Sequence, residues 1–281
     1  MKNTIKEKLR PIIPEDVLDL VPTSFDILGS KGEAVAIVEI PPEMSLFQGE
    51  IADAIMEKHR NVKSVLNKGS ERHGEFRKRD YQLIRGDPDT SVIHKESGCR
   101  FRLDPTKTYF SSRESTERER ISSKVKSDEK ILVMFSGVGP YPICIAREHP
   151  DVKVTAIELN PDAHYYCIEN IRLNKVTDRV TAILGDVREI CPRLEDRYDR
   201  VVMPLPKGAY QFLDITIPLM KKGGVIHFYH WAPEDQLFEE AEKLVSVAAN
   251  HFGRKFEVID RVKVSKYSPR MCKVRIDAKI H

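Results

Sequence analysis

Apolar and polar residues follow one another in short runs over the first hundred positions. Phe25–Leu28 and Ala34–Ile40 read as two strands around the glycine-containing turn Gly29–Gly32, and Pro41-Pro42 stops the second. Phe47, Ile51, Ala54 and Ile55 recur at i, i+4, i+7 and i+8, the spacing of one helical face. Val62–Leu66, Tyr81–Arg85, Ser91–His94 and Arg100–Leu103 then alternate or cluster as strands. Residues 1–103 are thus predicted to form a small α+β unit.

From about Asp104 the pattern changes. A helix over Arg113–Val125 leads into strands that alternate with helices: Lys130–Phe135, helix Tyr141–Glu148, Lys153–Glu158, helix Pro161–Asn174 and Arg179–Leu184. Asp199–Met203, a helix after Lys207, Val225–Tyr229 and a helix over Pro233–Asn250 continue the alternation. Such a pattern implies a mostly parallel sheet with right-handed crossovers. Lys255–Lys263 and Met271–Ala278 are separated by a short turn and should pair antiparallel. The fold class is α/β: a Rossmann-like sheet over residues 104–281, closed by an antiparallel terminal hairpin. This is the outline of a class I methyltransferase and less typical of a dinucleotide dehydrogenase.

The 281 residues leave room for two domains. The 41% hydrophobic content suffices for a core, while 32% charged residues exceed the usual share of about 25%. The formal net charge is only +3, so any nucleic-acid signal must be local. One candidate is Asn61–Gly86, where Lys63, Lys68, Arg72, Arg77, Lys78, Arg79 and Arg85 outnumber Glu71, Glu75 and Asp80. A solvated loop is the ordinary explanation of such a run, and phosphate contact is the functional one. The five cysteines form no C-x-x-C pair, which argues against a zinc site or disulfide framework and for reduced thiols in a cytoplasmic protein. Met1–Arg10 lacks the apolar core of a signal peptide, and no run approaches the roughly 20 apolar residues of a membrane span. No metal is expected.

The strand Lys130–Phe135 runs into Ser136-Gly137-Val138-Gly139-Pro140, a G-x-G turn between strand and helix. Glycines there let backbone approach a ligand. The third glycine of a dinucleotide fingerprint is replaced by Pro142, which argues against a nicotinamide cofactor. Glu158 ends the next strand, 19 residues after Gly139, where an acid can accept from both ribose hydroxyls. A lone acid at a strand end is ordinarily a capping or surface group; the glycine turn at this spacing favours the ribose reading. Asp186 ends the third strand, placed for an adenine amino group, and Met203-Pro204-Leu205-Pro206 ends the fourth over the ligand crevice.

Together these pieces resemble the archaeal and eukaryotic tRNA guanine-37 N1-methyltransferases and the related wybutosine-pathway aminocarboxypropyl transferases. The likeness is carried by Tyr109-Phe110-Ser111-Ser112-Arg113 with Thr116-Glu117-Arg118, by Met134–Pro140, and by Glu158-Leu159-Asn160-Pro161. Asn170–Val176, Gly185-Asp186-Val187-Arg188 and Pro204-Leu205-Pro206-Lys207 add to it. Val65-Leu66-Asn67-Lys68 and Ser24–Gly29 resemble the family's middle domain; the extra N-terminal domain with which many members grip the tRNA has no expected counterpart.

The resemblance implies S-adenosyl-L-methionine as cofactor and the tRNA anticodon loop as partner, with no membrane and no obligate protein partner. It implies Glu117 as general base on guanine N1 and Arg113 as stabiliser of charge on the base. Tyr109, Ser111, Arg118, Phe135, Gly137, Gly139, Glu158, Leu159, Asp186, Val187 and Pro204 fall at cofactor-side positions. Without the resemblance, Arg113 and Glu117 would read as an i, i+4 ion pair on a helix, worth tenths of a kcal/mol. Val133 stands where the family has an acid, and Pro204 where methyltransferase members have asparagine. Methyl transfer to N1 of guanosine 37 is the expected activity. Aminocarboxypropyl transfer from the same cofactor, or tRNA binding with impaired catalysis, are the alternatives.

Overall fold

Thr4 and Glu7 close a capping box at the head of the first helix, α1 (Ile5–Leu9). The computed structural model describes residues 4–69 and 80–281, and the chain divides into two compact units, Met1–Arg113 and Glu114–His281. In the first unit, β1 (Asp26–Gly29), β2 (Ala34–Val38), helix α2 (Gln48–Lys58), β3 (Val62–Lys68) and β4 (Tyr81–Gly86) build a four-stranded sheet in the order β1-β2-β3-β4. β2 and β3 are parallel, linked through α2, and the outer strands pair antiparallel. Ile5, Leu9, Met44, Ile51 and Ile55 bury against Ala34, Ala36 and Val38. β5 (Val92–Glu96) and β6 (Cys99–Leu103) form a separate hairpin.

The second unit opens with α3 (Ser115–Ser122) and continues as β7 (Lys130–Met134), α4 (Pro140–Glu148), β8 (Lys153–Glu158), α5 (Pro161–Leu173) and β9 (Val180–Leu184). Then follow α6 (Val187–Ile190), β10 (Tyr198–Met203), α7 (Leu213–Thr216), β11 (Met220–Pro233), α8 (Glu239–His251), β12 (Phe256–Ser268) and β13 (Met271–Ile280). The seven strands lie in the order β12-β13-β11-β10-β7-β8-β9. β11, β10, β7, β8 and β9 are parallel, while β13 pairs antiparallel with both β11 and β12. This is the parallel sheet with an antiparallel terminal hairpin that the pattern predicts. The chain steps outward from β7 to β9 and returns to β10 on the other side of β7. The resulting switch point between β7 and β10 is where such sheets hold ligands, outside their carboxyl ends.

Three elements differ from expectation. The helix after Lys207 is broken into a 3-10 turn Ala209–Phe212, α7, and a second 3-10 turn Ile217–Leu219. Pro218 lacks the N–H that a continuing helix requires. The helix expected from Pro233 begins only at Glu239, because β11 runs through Pro233; acids at Glu239, Glu240 and Glu242 suit the positive end of the helix. The helix expected over Arg113–Val125 is a 3-10 turn, Ser112–Glu114, then α3. All five cysteines are free and buried. Among the described residues no helix is long and apolar enough to cross a membrane.

Candidate active site

After β7 the backbone turns through three left-handed positions in five residues: Phe135 (φ 55°), Gly137 (φ 57°) and Gly139 (φ 87°). Phe135 is not a glycine, and holding it there costs on the order of 1–3 kcal/mol, a strain typical of ligand sites. Its ring meets Phe212 edge-on at 5.0 Å. At Gly139 a Cβ would lie 2.8 Å from Cys167 Sγ and 3.0 Å from Ile143 Cδ1. The turn is fixed from behind, since buried Asn170 on α5 donates to the Val138 carbonyl at 2.9 Å.

Glu158 stands at the carboxyl end of β8. Its Oε2 accepts from the Gly137 amide at 2.6 Å and its Oε1 from the Asn160 amide at 2.8 Å. Each carboxylate oxygen has acceptor capacity beyond one bond, so ribose hydroxyls can still donate to Glu158. Burial raises its carboxyl above the usual range, against the lowering effect of the Asn160, Gly137 and Leu159 amides. Leu159 follows, half-buried, and the Gly185 amide donates to the Glu158 carbonyl at 3.0 Å, drawing the ends of β8 and β9 together. Asp186 caps α6 by accepting from the Arg188 amide at 2.8 Å, and Val187 is buried behind it. Pro204 follows β10, half-buried. The structure thus brings Phe135, Gly137, Gly139, Glu158, Leu159, Asp186, Val187 and Pro204 to one edge of one sheet. A strand-end carboxylate with acceptor capacity left, beside a glycine turn, fits an adenosine group. Val133, fully buried, lies in register with Ala156 and Val202.

A second constellation surrounds Glu117, which is only 3% exposed on α3. α3 packs on α4, the helix that starts at the glycine turn. Glu117 Oε1 accepts from the Tyr229 hydroxyl at 2.7 Å and from the Arg275 guanidinium; Oε2 accepts from Arg120. Behind them the charges continue. Asp277 Oδ1 lies 2.6 Å from Arg275 Nε, and its Oδ2 lies 2.9 Å from Lys124 Nζ. Lys124 also bonds Asp260 at 2.6 Å. His227 Nδ1 is 2.6 Å from Asp277, and its Nε2 is 2.6 Å from Arg200, which chelates Glu129 at 2.7 and 2.9 Å.

Burial pushes His227 down to about 4, helped by the charges of Arg200 and Arg275 and opposed by Asp277. At neutral pH it is therefore an uncharged ring that donates from Nδ1 and accepts at Nε2. Burial alone would raise Asp277, but His227, Arg275 and Lys124 outweigh it and hold the carboxyl well below its usual range. Of this cluster the sequence marks Glu117 for chemistry and Arg120 and Lys124 only as basic residues for phosphate contact. Lys273, Arg275 and Asp277 alternate with apolar residues and read as the solvated side of an edge hairpin.

Of the remaining expected residues, Tyr109, Ser111 and Arg113 belong to the first unit and Arg118 to the second. Arg113 pairs with Asp26 at 2.7 Å, so the i, i+4 ion pair with Glu117 gives way to separate partners for each residue. Phe110 packs between His94 and Phe101, which anchors the segment carrying half-buried Tyr109 and Ser111. Arg118 is buried at 2% exposure. Of the basic stretch, Lys63 pairs with Glu33, Lys68 with Glu39 and Arg85 with Asp53. Arg72, Arg77, Lys78 and Arg79, with Glu71 and Glu75, lie outside the described residues.

The family model described as the TRM5/TYW2 methyltransferase domain matches residues 92–259, and that of the TYW2 N-terminal domain matches residues 5–90. The tRNA (guanine(37)-N(1))-methyltransferase Trm5b of Pyrococcus abyssi is 41% identical over 95% of this chain and 78% of that protein. The tRNA(Phe) (4-demethylwyosine(37)-C(7)) aminocarboxypropyltransferase of Pyrococcus horikoshii is 32% identical over 100% of this chain and 97% of that protein. The crystal structure of P. horikoshii TYW2 in complex with MeSAdo superposes with a TM-score of 0.83 at 29% identity, over 98% of this chain and 97% of that one.

Proposed function

We propose, since the chain belongs to the TRM5/TYW2 methyltransferase family, that it transfers the methyl group of S-adenosyl-L-methionine to N1 of guanosine 37 in the tRNA anticodon loop. The observation that carries this reading is the 41% identity, over nearly the whole chain, to a protein named for that reaction. The site supports it. Glu158 offers acceptors to the ribose beside the Gly137–Gly139 turn, and Asp186 stands one strand further at the adenine end. Phe135, Leu159, Val187 and Pro204 line the same sheet edge, and Tyr109, Ser111 and Arg118 keep the cofactor-side roles that the resemblance implies. Bound there, the cofactor supplies an electrophilic methyl on a sulfonium.

Guanine N1 carries a proton at neutral pH, so a base must remove it before the nitrogen can accept a methyl. Glu117 is assigned that role, and Arg113 the steadying of negative charge on the base. The reaction is placed in the cytoplasm, without an obligate protein partner. A tRNA transcript with guanosine at position 37 should yield 1-methylguanosine on incubation with enzyme and cofactor, and one with adenosine there should yield none. Equal methylation of both transcripts would refute the assignment.

Aminocarboxypropyl transfer is the second reading. It is favoured by the match of residues 5–90 to the TYW2 N-terminal domain and by the 32% identity of the P. horikoshii relative over the whole of this chain.

A further inference from the structure

The two oxygens of Glu117 are not equivalent. Oε1 is held by Tyr229 and Arg275, both fully buried, whereas Oε2 meets Arg120, whose side chain is 38% exposed. Tyr229 is itself fixed at two further points, the second of them braced by an ion pair. Its hydroxyl accepts from Tyr141 at 3.2 Å, its ring lies 4.8 Å from Lys273 Nζ, and Lys273 is tied to Glu114 at 2.8 Å. Arg275 is backed by Asp277 and by Asp260 at 3.3 Å.

We propose that Tyr229 is a positioning residue for the transfer. Together with Arg275 it anchors Glu117 Oε1, so that Oε2 is the oxygen that takes the guanine N1 proton and Arg120 is the partner that gives way. This rests on the reading of Glu117 as the base. The asymmetry follows from burial. Releasing Arg275 or Tyr229 would strand a polar group inside the protein, whereas Arg120 can move into water at little cost. A carboxylate bound at one oxygen cannot turn about its last side-chain bond, so its second oxygen keeps one direction.

In the step itself the N1–H bond breaks and its proton passes to Oε2, while the freed electron pair of N1 forms the N1–methyl bond as the methyl–sulfur bond of the sulfonium breaks, its electron pair staying on the sulfur of the departing neutral thioether. The negative charge of Glu117 and the positive charge of the bound cofactor cancel together. Arg275 keeps Asp277 and Asp260 as counter-charges once Glu117 is neutral. Burial, with Tyr141 and Glu117 adding and Arg275 opposing, raises the Tyr229 hydroxyl far above its usual range, so it stays a donor throughout.

The groups facing Glu117 are Tyr229 on β11, Arg275 on β13, Tyr141 on the packed helix α4 and Arg120 on α3 itself. Tyr229→Phe removes one hydroxyl and leaves the ring under Lys273. In single turnover on a guanosine-37 transcript with methyl-labelled cofactor, its rate should fall roughly ten- to a hundredfold, the scale of a lost hydrogen bond to a charged group. Affinities for tRNA and cofactor should stay within about twofold, and the acid limb of the pH–rate profile should move to higher pH, because the charged carboxylate has lost a donor. Tyr141→Phe should move both readouts the same way by less, and it carries the test if Tyr229→Phe does not fold. A slower variant with an unmoved pH profile would reduce Tyr229 to a structural role and overturn the proposal. Glu117→Gln run in parallel separates the two claims. If it transfers at the wild-type rate, the reading of Glu117 is wrong; if it is inactive while Tyr229→Phe matches wild type in rate and profile, only the positioning claim is wrong.

Discussion

Glu158 ties the glycine turn to the start of α5 by accepting one amide from each. Its spacing from Gly139 made its place beside the turn legible in the sequence. Glu158→Ala should weaken S-adenosyl-L-methionine binding by at least about 1.5 kcal/mol, the scale of lost charge-assisted hydrogen bonds. Calorimetry returning the wild-type affinity would remove Glu158 from the site. His227 makes a different prediction. Held near 4 when folded against an ordinary value of 6.5, it binds fewer protons in the native state than in the unfolded one between those limits. Stability must then rise with pH across that window and fall as pH drops from about 6.5 to 4. Asp277, held well below the usual carboxylate range, extends the loss to lower pH. His227→Gln should flatten the dependence of Tm on pH between 4 and 6.5; an undiminished slope would show that another group dominates acid unfolding.

The strands of the parallel sheet were readable because covered strands are apolar runs of limited length, as in β7 (Ile131, Leu132, Val133, Met134). The hairpin strand β13 was readable as a strand but not in its chemistry. Its Lys273, Arg275 and Asp277 alternate with Val274 and Ile276, which in an edge strand means a solvated face. β13 instead lies between β11 and β12, and all three polar residues are buried. Alternation states which residues share a face, never what covers that face, so Tyr229, Arg275, Asp277 and His227 had no local signal. α1 did have one, the Thr4–Glu7 capping box, although its helix is only five residues long. At the glycine turn the element sets a steric limit. Gly139→Ala puts a methyl group 2.8 Å from Cys167 Sγ at φ 87°, and should lower Tm by several degrees. Adding Cys167→Ala should relieve the contact but not the backbone strain, so thermal scans of both singles and the double should show less than additive loss. Strict additivity would mean that the two side chains do not meet.

At the scale of the whole molecule, a net charge of +3 gives little general attraction to RNA, and many described cations have internal partners. Lys63, Lys68 and Arg85 are paired with acids, and Arg120 on α3 and Lys124 just after it pair with the buried acids Glu117 and Asp277. Arg77, Lys78 and Arg79 carry the test of the phosphate-contact reading of the basic stretch. Changing these three to Ala should flatten the decline of tRNA affinity with salt, as loss of counterion release requires; an unchanged slope would return the stretch to an ordinary solvated loop.

Family membership sets fold and cofactor more firmly than it sets the transferred group, since relatives of both chemistries align over nearly the whole chain. The most direct measurement uses S-adenosyl-L-methionine labelled in the methyl carbon in one reaction and in the aminocarboxypropyl chain in another. Each is incubated with a tRNA transcript bearing guanosine 37 and with a tRNA bearing the tricyclic base, followed by nucleoside analysis. Methyl transfer predicts label from the methyl carbon alone, recovered as 1-methylguanosine from the first substrate. Label from the aminocarboxypropyl chain on the tricyclic base, or no label on either tRNA, would contradict it.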